Sequence, residues 1–300
     1  MILAVTPIWG QRFWDTFART ILPSLGKEIL ALNDREPVTW LLWTPPDDWH
    51  QWATHPAVSA LRHLWCIKNM NANEVGPLNG GYMGMMHLLR RSVHMAWEKQ
   101  AKILFLTPDV VFSEGSLVRA WEKIEEGAGA VVIPRVRAIR TAAEPLIRQR
   151  NQSDQPMTPG WLAKVAEKHM DPLMRSQFED AENFTKWPSV VCRKAEHGYS
   201  IKGHHLFVLM AKPNTSDPNW VNIDFDWIER AVSPWTSVHV PADSDEIMAL
   251  DLTEDNHLAD LIGREPKNAG QVDMWVRGHA HEYHHWLANH EYRVRVPVDA

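Results

Sequence analysis

Four short apolar runs, at residues 2–5, 38–43, 65–68 and 103–106, recur between stretches of helical periodicity. That alternation leaves few folds open, because strand, loop and helix in repeat imply right-handed crossovers and a mostly parallel sheet flanked by helices. Helical spacing is read from Gly10 towards Leu30, over 56–64, and over 82–99, where Met85, Met86, Leu89, Val93 and Trp97 fall on neighbouring turns. Loops that follow parallel strands gather along one edge of the sheet, which is where open α/β sheets bind ligands.

The fourth run stops at Thr107-Pro108-Asp109. Proline removes a ladder donor there, and a carboxylate follows at the strand's carboxyl end. A carboxylate so placed suits a divalent cation and a phosphorylated ligand. The plainer reading is a turn aspartate ahead of a helix begun near Ser113, with Ser113 or Ser116 as its cap. Further on, Pro45-Pro46-Asp47-Asp48 reads as a turn, 130–134 as a strand, and 135–155 as an Arg-rich stretch with no clear strand. Residues 153–187 read as a helical insertion or lid, 199–201 and 205–211 as strands, and 225–231 as a helix entered from 221–224. A strand at 237–240 runs into acidic residues, and 272–290 reads as one C-terminal helix. The expected divisions are 1–134 for a ligand-binding half, 135–198 for the insertion, 199–260 for a second half completing the sheet, and 261–300 for the tail.

A net charge of -6 and a pI near 6.2 give no overall attraction to nucleic acid or anionic lipid, so phosphate recognition must be local. No window approaches the apolar length of a membrane span, and residues 1–5 are too short for a signal peptide, which together place the chain in the cytoplasm. Cys66 and Cys192 lack metal-ligand spacing and fit a reducing compartment. Sixteen Trp against 4 Tyr and 8 Phe is unusual. Most are expected in the core, but Trp9, Trp187 and Trp227 lie near polar groups, where an indole face could stack on a ligand.

Asp243-Ser244-Asp245 is spaced so that both carboxylates can reach one Mg²⁺ or Mn²⁺, with Glu246 beside them. Asp224-Phe225-Asp226 has the same spacing, although aspartates at a helix start also serve its dipole. His204 and His205, if on a strand, face opposite sides, so one of them could enter a cleft. His281-Glu282-x-x-His285 has the spacing of a zinc peptidase helix, against which stands a plain amphipathic terminal helix. The nucleophile-elbow, Walker and dinucleotide-turn patterns do not occur, and Asn79-Gly80-Gly81 is a turn that could approach a phosphate or act as a hinge.

The loop Val5-Thr6-Pro7-Ile8-Trp9-Gly10, the strand ending Thr107-Pro108-Asp109, and Asp243-Ser244-Asp245-Glu246 together resemble nucleotide-sugar glycosyltransferases of the GT-A type, a resemblance of pattern over about residues 1–250. It implies a Rossmann-like sheet holding a sugar nucleotide, with Mn²⁺ or Mg²⁺ bridging the diphosphate. Thr107 stands where that family's first metal-motif aspartate would be, so either Asp109 holds the metal with Asp243 or Asp245 completing the sphere, or Asp243 to Asp245 form the metal motif themselves. The expected enzyme moves a sugar from a nucleotide-diphosphate donor to a glycan or other hydroxyl acceptor. Thr6, Pro7, Trp9 and Asp109 hold the nucleotide, and Asp243 and Glu246 assist chemically. Trp187, Trp227 and His204 meet substrate, and Arg135, Arg137 and Arg140 are available to a diphosphate. The alternatives are the zinc peptidase and a noncatalytic nucleotide-sugar-binding protein.

Overall fold

A computed structural model describes the backbone of residues 1–64, 66–75, 82–215, 220, 222–232, 234–255 and 258–298, with side chains at all of these except 61–64, 66–67, 74–75, 224–225 and 269. In chain order the strands are β1 (Ile2–Pro7), β2 (Val38–Thr44), β3 (Cys66–Asn71), β4 (Lys102–Phe105), β5 (Val110–Phe112), β6 (Ala130–Ile133), β7 (Val136–Ile139), β8 (Val190–Ala195), β9 (Gly198–Gly203), β10 (Phe207–Ala211), β11 (Val238–His239), β12 (Ala249–Thr253) and β13 (Tyr292–Arg295). The α-helices are α1 (Gln11–Thr16), α2 (Leu22–Asn33), α3 (Pro46–Trp52), α4 (Pro56–Leu64), α5 (Tyr82–Glu98), α6 (Ser116–Glu125), α7 (Arg140–Gln152), α8 (Pro159–Lys168), α9 (Pro172–Arg175), α10 (Ile228–Ala231), α11 (Ala269–His279) and α12 (Glu282–Ala288).

The chain forms two compact units. The first comprises Met1–Val110, Gly115–Val132 and Val208–His239. Its seven-stranded sheet has the order β11-β6-β10-β4-β1-β2-β3. β1 pairs in parallel with β2 and β4, β2 with β3, and β11 with β6, whereas β10 runs antiparallel to β4. This is the broadly Rossmann-like α/β arrangement that alternation implied. β1 is buried along its whole length, so it reads as a continuous apolar run rather than an alternating one. Indole N–H groups pin the core to nearby hydroxyls: Trp40 donates to Thr6 at 3.0 Å, Trp14 to Thr44 at 3.2 Å and Trp43 to Ser92 at 2.7 Å. Each such ring stabilises the unit by roughly 2–3 kcal/mol through burial, and its one polar atom is satisfied.

Two local expectations change. Pro45-Pro46-Asp47-Asp48 is the start of α3 rather than a turn, with Pro45 at the N-cap and both aspartates in the first turn, where they favour the helix dipole. The helix expected near Ser113 begins instead at Ser116, after β5, and its N-cap is Gly115 at φ 83. Its amides are capped from another element, because the buried Glu28 of α2 accepts from the N–H groups of Gly115 and Leu117.

The second unit comprises Val111–Glu114, Ile133–Phe207 and Val240–Ala300. It holds two three-stranded sheets, β5-β12-β7 and the antiparallel β13-β9-β8. The Arg-rich stretch therefore contains a strand and a helix, β7 and α7, and β8 and β12 are strands that the sequence reading did not place. The expected 272–290 helix is two helices, α11 and α12, separated by Ala280 and His281 in extended backbone. Segment 199–260 is shared out: β10 and β11 join the seven-stranded sheet, and β9 and β12 belong to the smaller ones. No helix among the described residues is long and apolar enough to cross a membrane.

Candidate functional site

In the first unit β1 lies between β2 and β4, so strand order reverses there, and open α/β sheets bind ligands outside the carboxyl ends of strands at such a reversal. Two of the expected ligand segments leave from that place. After β1 come Ile8, Trp9 and Gly10; Gly10 adopts φ 82, which glycine tolerates, and its N–H donates to Asp48 Oδ2 at 2.7 Å. After β4 come Thr107, then Pro108 and Asp109 in a turn. Trp9 and Asp109 are both half-buried. Thr6 and Pro7 are not at the surface: Thr6 is fully buried with its hydroxyl accepting from Trp40, and Pro7 pairs with Trp43 inside the sheet. Both side chains are thus buried within the sheet rather than exposed at its edge, where nucleotide contacts were expected.

Trp227 also departs from expectation. Only 1% of it is exposed, and its ring packs edge-on against Phe105 (5.4 Å, 81°) and near Trp220 (6.1 Å), so no face remains for a sugar. Its Nε1, however, is buried with no hydrogen-bond partner among the described residues. So is the hydroxyl of Thr107, two residues beyond the end of β4. Arg90 of α5 lies over the Trp220 ring at 5.2 Å and donates through Nη2 to the Trp220 carbonyl, yet its Nε is likewise buried and unpaired. Buried polar groups are nearly always hydrogen-bonded. The orphaned donors of Arg90 and Trp227, linked through Trp220 to Phe105 at the end of β4, together with that of Thr107 two residues further on, suit a ligand rich in acceptor oxygens.

The acidic loop belongs to the second unit, and its carboxylates are engaged locally. Asp243 Oδ1 accepts from the amides of Asp245 (3.0 Å) and Glu246 (3.3 Å), while Oδ2 meets Arg295 Nη2 at 2.6 Å. Asp245 meets the other guanidinium nitrogen of Arg295 at 3.3 Å, and Glu246 accepts from the Ala242 amide at 3.0 Å. Ser244 accepts from the Arg295 amide, so the loop is stitched to β13. A guanidinium thus sits between the two aspartates where a cation was expected. Asp226 similarly accepts from the Asn222 amide at 2.8 Å, and the side chain of Asp224 and the turn Asn79-Gly80-Gly81 lie outside the described residues. Arg135 and Arg137 both face Asp251 at 3.7 Å, and Arg140 bonds Glu254 (2.7 Å) and Glu144 (3.0 Å), so all three arginines have carboxylate neighbours.

The densest constellation in the second unit is aromatic. Trp187, just before β8, stands perpendicular to Trp275 of α11 (4.8 Å, 78°), and Trp275 stacks on His279 (4.6 Å, 14°). His204, beyond the end of β9, packs on Trp275 (5.4 Å) and His205 (5.0 Å), and His205 on His284 (5.6 Å). Two residues expected to meet substrate, Trp187 and His204, are thereby brought into one cluster; Trp275 and His279 were missed, although their i,i+4 spacing on a helix is legible. Burial, and after it the neighbouring imidazoles, press His204 down to about 3 and His205 to about 4, so both rings are neutral at physiological pH. Burial likewise raises the Cys192 thiol, which is an inert core group.

The zinc-peptidase spacing does not lie on one helix. His281 is the N-cap of α12, in extended backbone, and its N–H donates to Nδ1 of His284 at 3.2 Å, so His281 and His285 are not two ligands one turn apart on a helix face. Among the described residues no group of three or more His, Cys, Asp or Glu is arranged to hold a metal ion.

A hollow of about 960 Å³ opens elsewhere in the first unit, lined by Trp97, Gln100, Gly129, Lys212, Asn214 and Val232 among others. Gln100 and Gly129 directly precede β4 and β6, and Lys212 follows the antiparallel β10, so this hollow is at the amino edge of the sheet, opposite Asp109. Size alone does not make it the site, since the orphaned donors and the strand reversal are at the other edge.

No family model matches the chain, and no curated protein matches it. Among solved structures, a Bacillus anthracis protein described as a glucose-1-phosphate thymidylyltransferase in complex with sucrose shows a weak, distant resemblance, with a TM-score of 0.29 and 10% identity. The match covers 48% of this chain and 57% of that one, and a likeness of this size carries no weight for function.

Proposed function

We propose that this chain is an enzyme that binds a nucleotide-diphosphate sugar at the carboxyl edge of the seven-stranded sheet and passes the sugar to a hydroxyl acceptor. The observation that carries this reading is the pair of segments, Trp9-Gly10 and Thr107-Pro108-Asp109, leaving from β1 and β4 where strand order reverses. Trp9 offers an indole face to the base. Thr107, Trp227 and Arg90 offer unpaired donors to acceptor oxygens of the donor substrate.

Asp109, half-buried at the edge, fits Mn²⁺ or Mg²⁺, since such ions are held through one or two carboxylates with diphosphate oxygens and water in the remaining positions. Asp243 and Asp245 do not fit, because Arg295 already bridges them, so they and Glu246 are assigned to holding their loop. The ion would neutralise charge on the departing nucleoside diphosphate. In the transfer, the bond from the anomeric carbon to the diphosphate oxygen breaks with its electron pair leaving on phosphate, the acceptor oxygen forms the new bond, and its proton is released. The chain's residues bind and orient the donor for that displacement.

Incubating the protein with UDP-, GDP- and dTDP-sugars and an acceptor panel tests the reading. Nucleoside diphosphate should be released with Mn²⁺ or Mg²⁺ present, and Asp109→Asn should slow release by about a hundredfold, as for loss of a charge-stabilising group. Equal turnover by Asp109→Asn would refute the role given to Asp109, and binding without any turnover would leave a nucleotide-sugar-binding protein.

A further inference from the structure

We propose that the second unit carries a separate site for an uncharged sugar ring, formed by Trp187 and Trp275 with the imidazole of His204 packed on Trp275. The inference does not depend on the nucleotide reading. Trp14, Trp40, Trp43, Trp220 and Trp227 are almost wholly buried, whereas Trp187 is 42% exposed. Its ring is nevertheless held in place, perpendicular to Trp275 at 4.8 Å, with His205 and His279 each about one ring width away at 6.2 and 6.1 Å. Two indoles at a right angle make an inside corner, in which one ring can lie on the C–H face of a pyranose while the other covers its edge.

The corner is also built from behind. His279 stacks on Trp275, and its Nδ1 is 2.8 Å from the Trp275 carbonyl, which fixes both rings on α11. His204 packs on Trp275 at 5.4 Å, is only 3% exposed, and its buried Nε2 has no hydrogen-bond partner among the described residues. An orphaned ring nitrogen beside a half-exposed aromatic corner is served in either tautomer by a partner that can donate or accept. A hydroxyl is such a partner. Indole and imidazole rings pack on Trp187 and His204, and flat apolar faces of this kind suit the C–H face of a neutral sugar.

The test is to titrate the full chain, at about pH 7 where imidazoles are mostly neutral, with cellohexaose, maltohexaose and chitohexaose, following tryptophan fluorescence and heat. Tetramethylammonium chloride serves as a control, because perpendicular indoles also suit a cation. At least one oligosaccharide should bind saturably, and Trp187→Ala should weaken it about tenfold with the melting temperature unchanged, as for loss of an aromatic anchor. His204→Phe, which keeps a ring but removes the nitrogens, should weaken it as well; if that variant unfolds, Trp187→Ala alone decides. No saturable binding by wild type, wild-type affinity in Trp187→Ala, or binding of the ammonium salt only would each overturn the proposal.

Discussion

The side chains that best distinguish structure from function in this chain are its tryptophans, because each carries one donor that is either paired or not. Trp14, Trp40 and Trp43 give theirs to hydroxyls in the core, and Trp227 gives its own to no partner among the described residues. Trp227→Phe keeps an aromatic ring at the site and removes an unsatisfied donor, so the folded state should be unchanged or slightly more stable in urea unfolding. Nucleotide affinity should fall by about tenfold, since a lost hydrogen bond of roughly 1–1.5 kcal/mol corresponds to that factor. If calorimetry gives the same affinity for both proteins, the indole does not touch the ligand. At this scale the sequence was only partly legible. Pro108 announced that Asp109 follows the end of a strand, but β1 is apolar on both faces, so nothing in its pattern said that Thr6 points inward to Trp40.

At the scale of elements, the two histidines that follow β9 give a pH dependence. His204 and His205 sit at about 3 and about 4 in the folded protein, against an unfolded value near 6.5. Between those values the unfolded chain binds more protons than the folded one, so stability is full above about pH 6.5 and declines as pH falls towards 4. Each imidazole adds a slope of up to about 1.4 kcal/mol per pH unit in that window. Urea midpoints measured across the window should fall for wild type and fall less steeply for His205→Gln; parallel slopes would contradict the assignment. The same elements show where pattern reading stopped. Helical spacing continues from α11 into α12, so the break at Ala280-His281 was invisible, and only the cap geometry of His281 reveals it. β8 escaped because Arg193 and Lys194 are exposed on it and pair with Glu179 and Asp180, giving an edge strand a polar sequence. β7 was hidden in the same way, since Arg135 and Arg137 face Asp251 across from β12 and made the stretch look like a basic surface.

On the scale of the whole molecule, the alternating first third of the chain specified the parallel arrangement of β1 to β4, and with it the edge at which Asp109 lies. What it did not specify was the return of β10 from a hundred residues further on, antiparallel against β4, because a long-range pairing leaves no local periodicity. The acidic loop and Asp109 belong to different units, and local partners account for the loop's carboxylates, so the functional claim rests on the first unit alone. That unit offers two places for a small molecule: the carboxyl edge with its unpaired donors, and the hollow of about 960 Å³ at the amino edge beside Lys212. Isothermal titration of the full chain with UDP-, GDP- and dTDP-glucose in the presence of MnCl₂, comparing wild type with Asp109→Asn and Lys212→Ala, separates them. Affinity for the preferred nucleotide sugar is predicted to drop at least about tenfold in Asp109→Asn, equivalent to roughly 1.4 kcal/mol, and to stay at the wild-type value in Lys212→Ala; loss in Lys212→Ala with retention in Asp109→Asn, or no binding by wild type, would contradict the account.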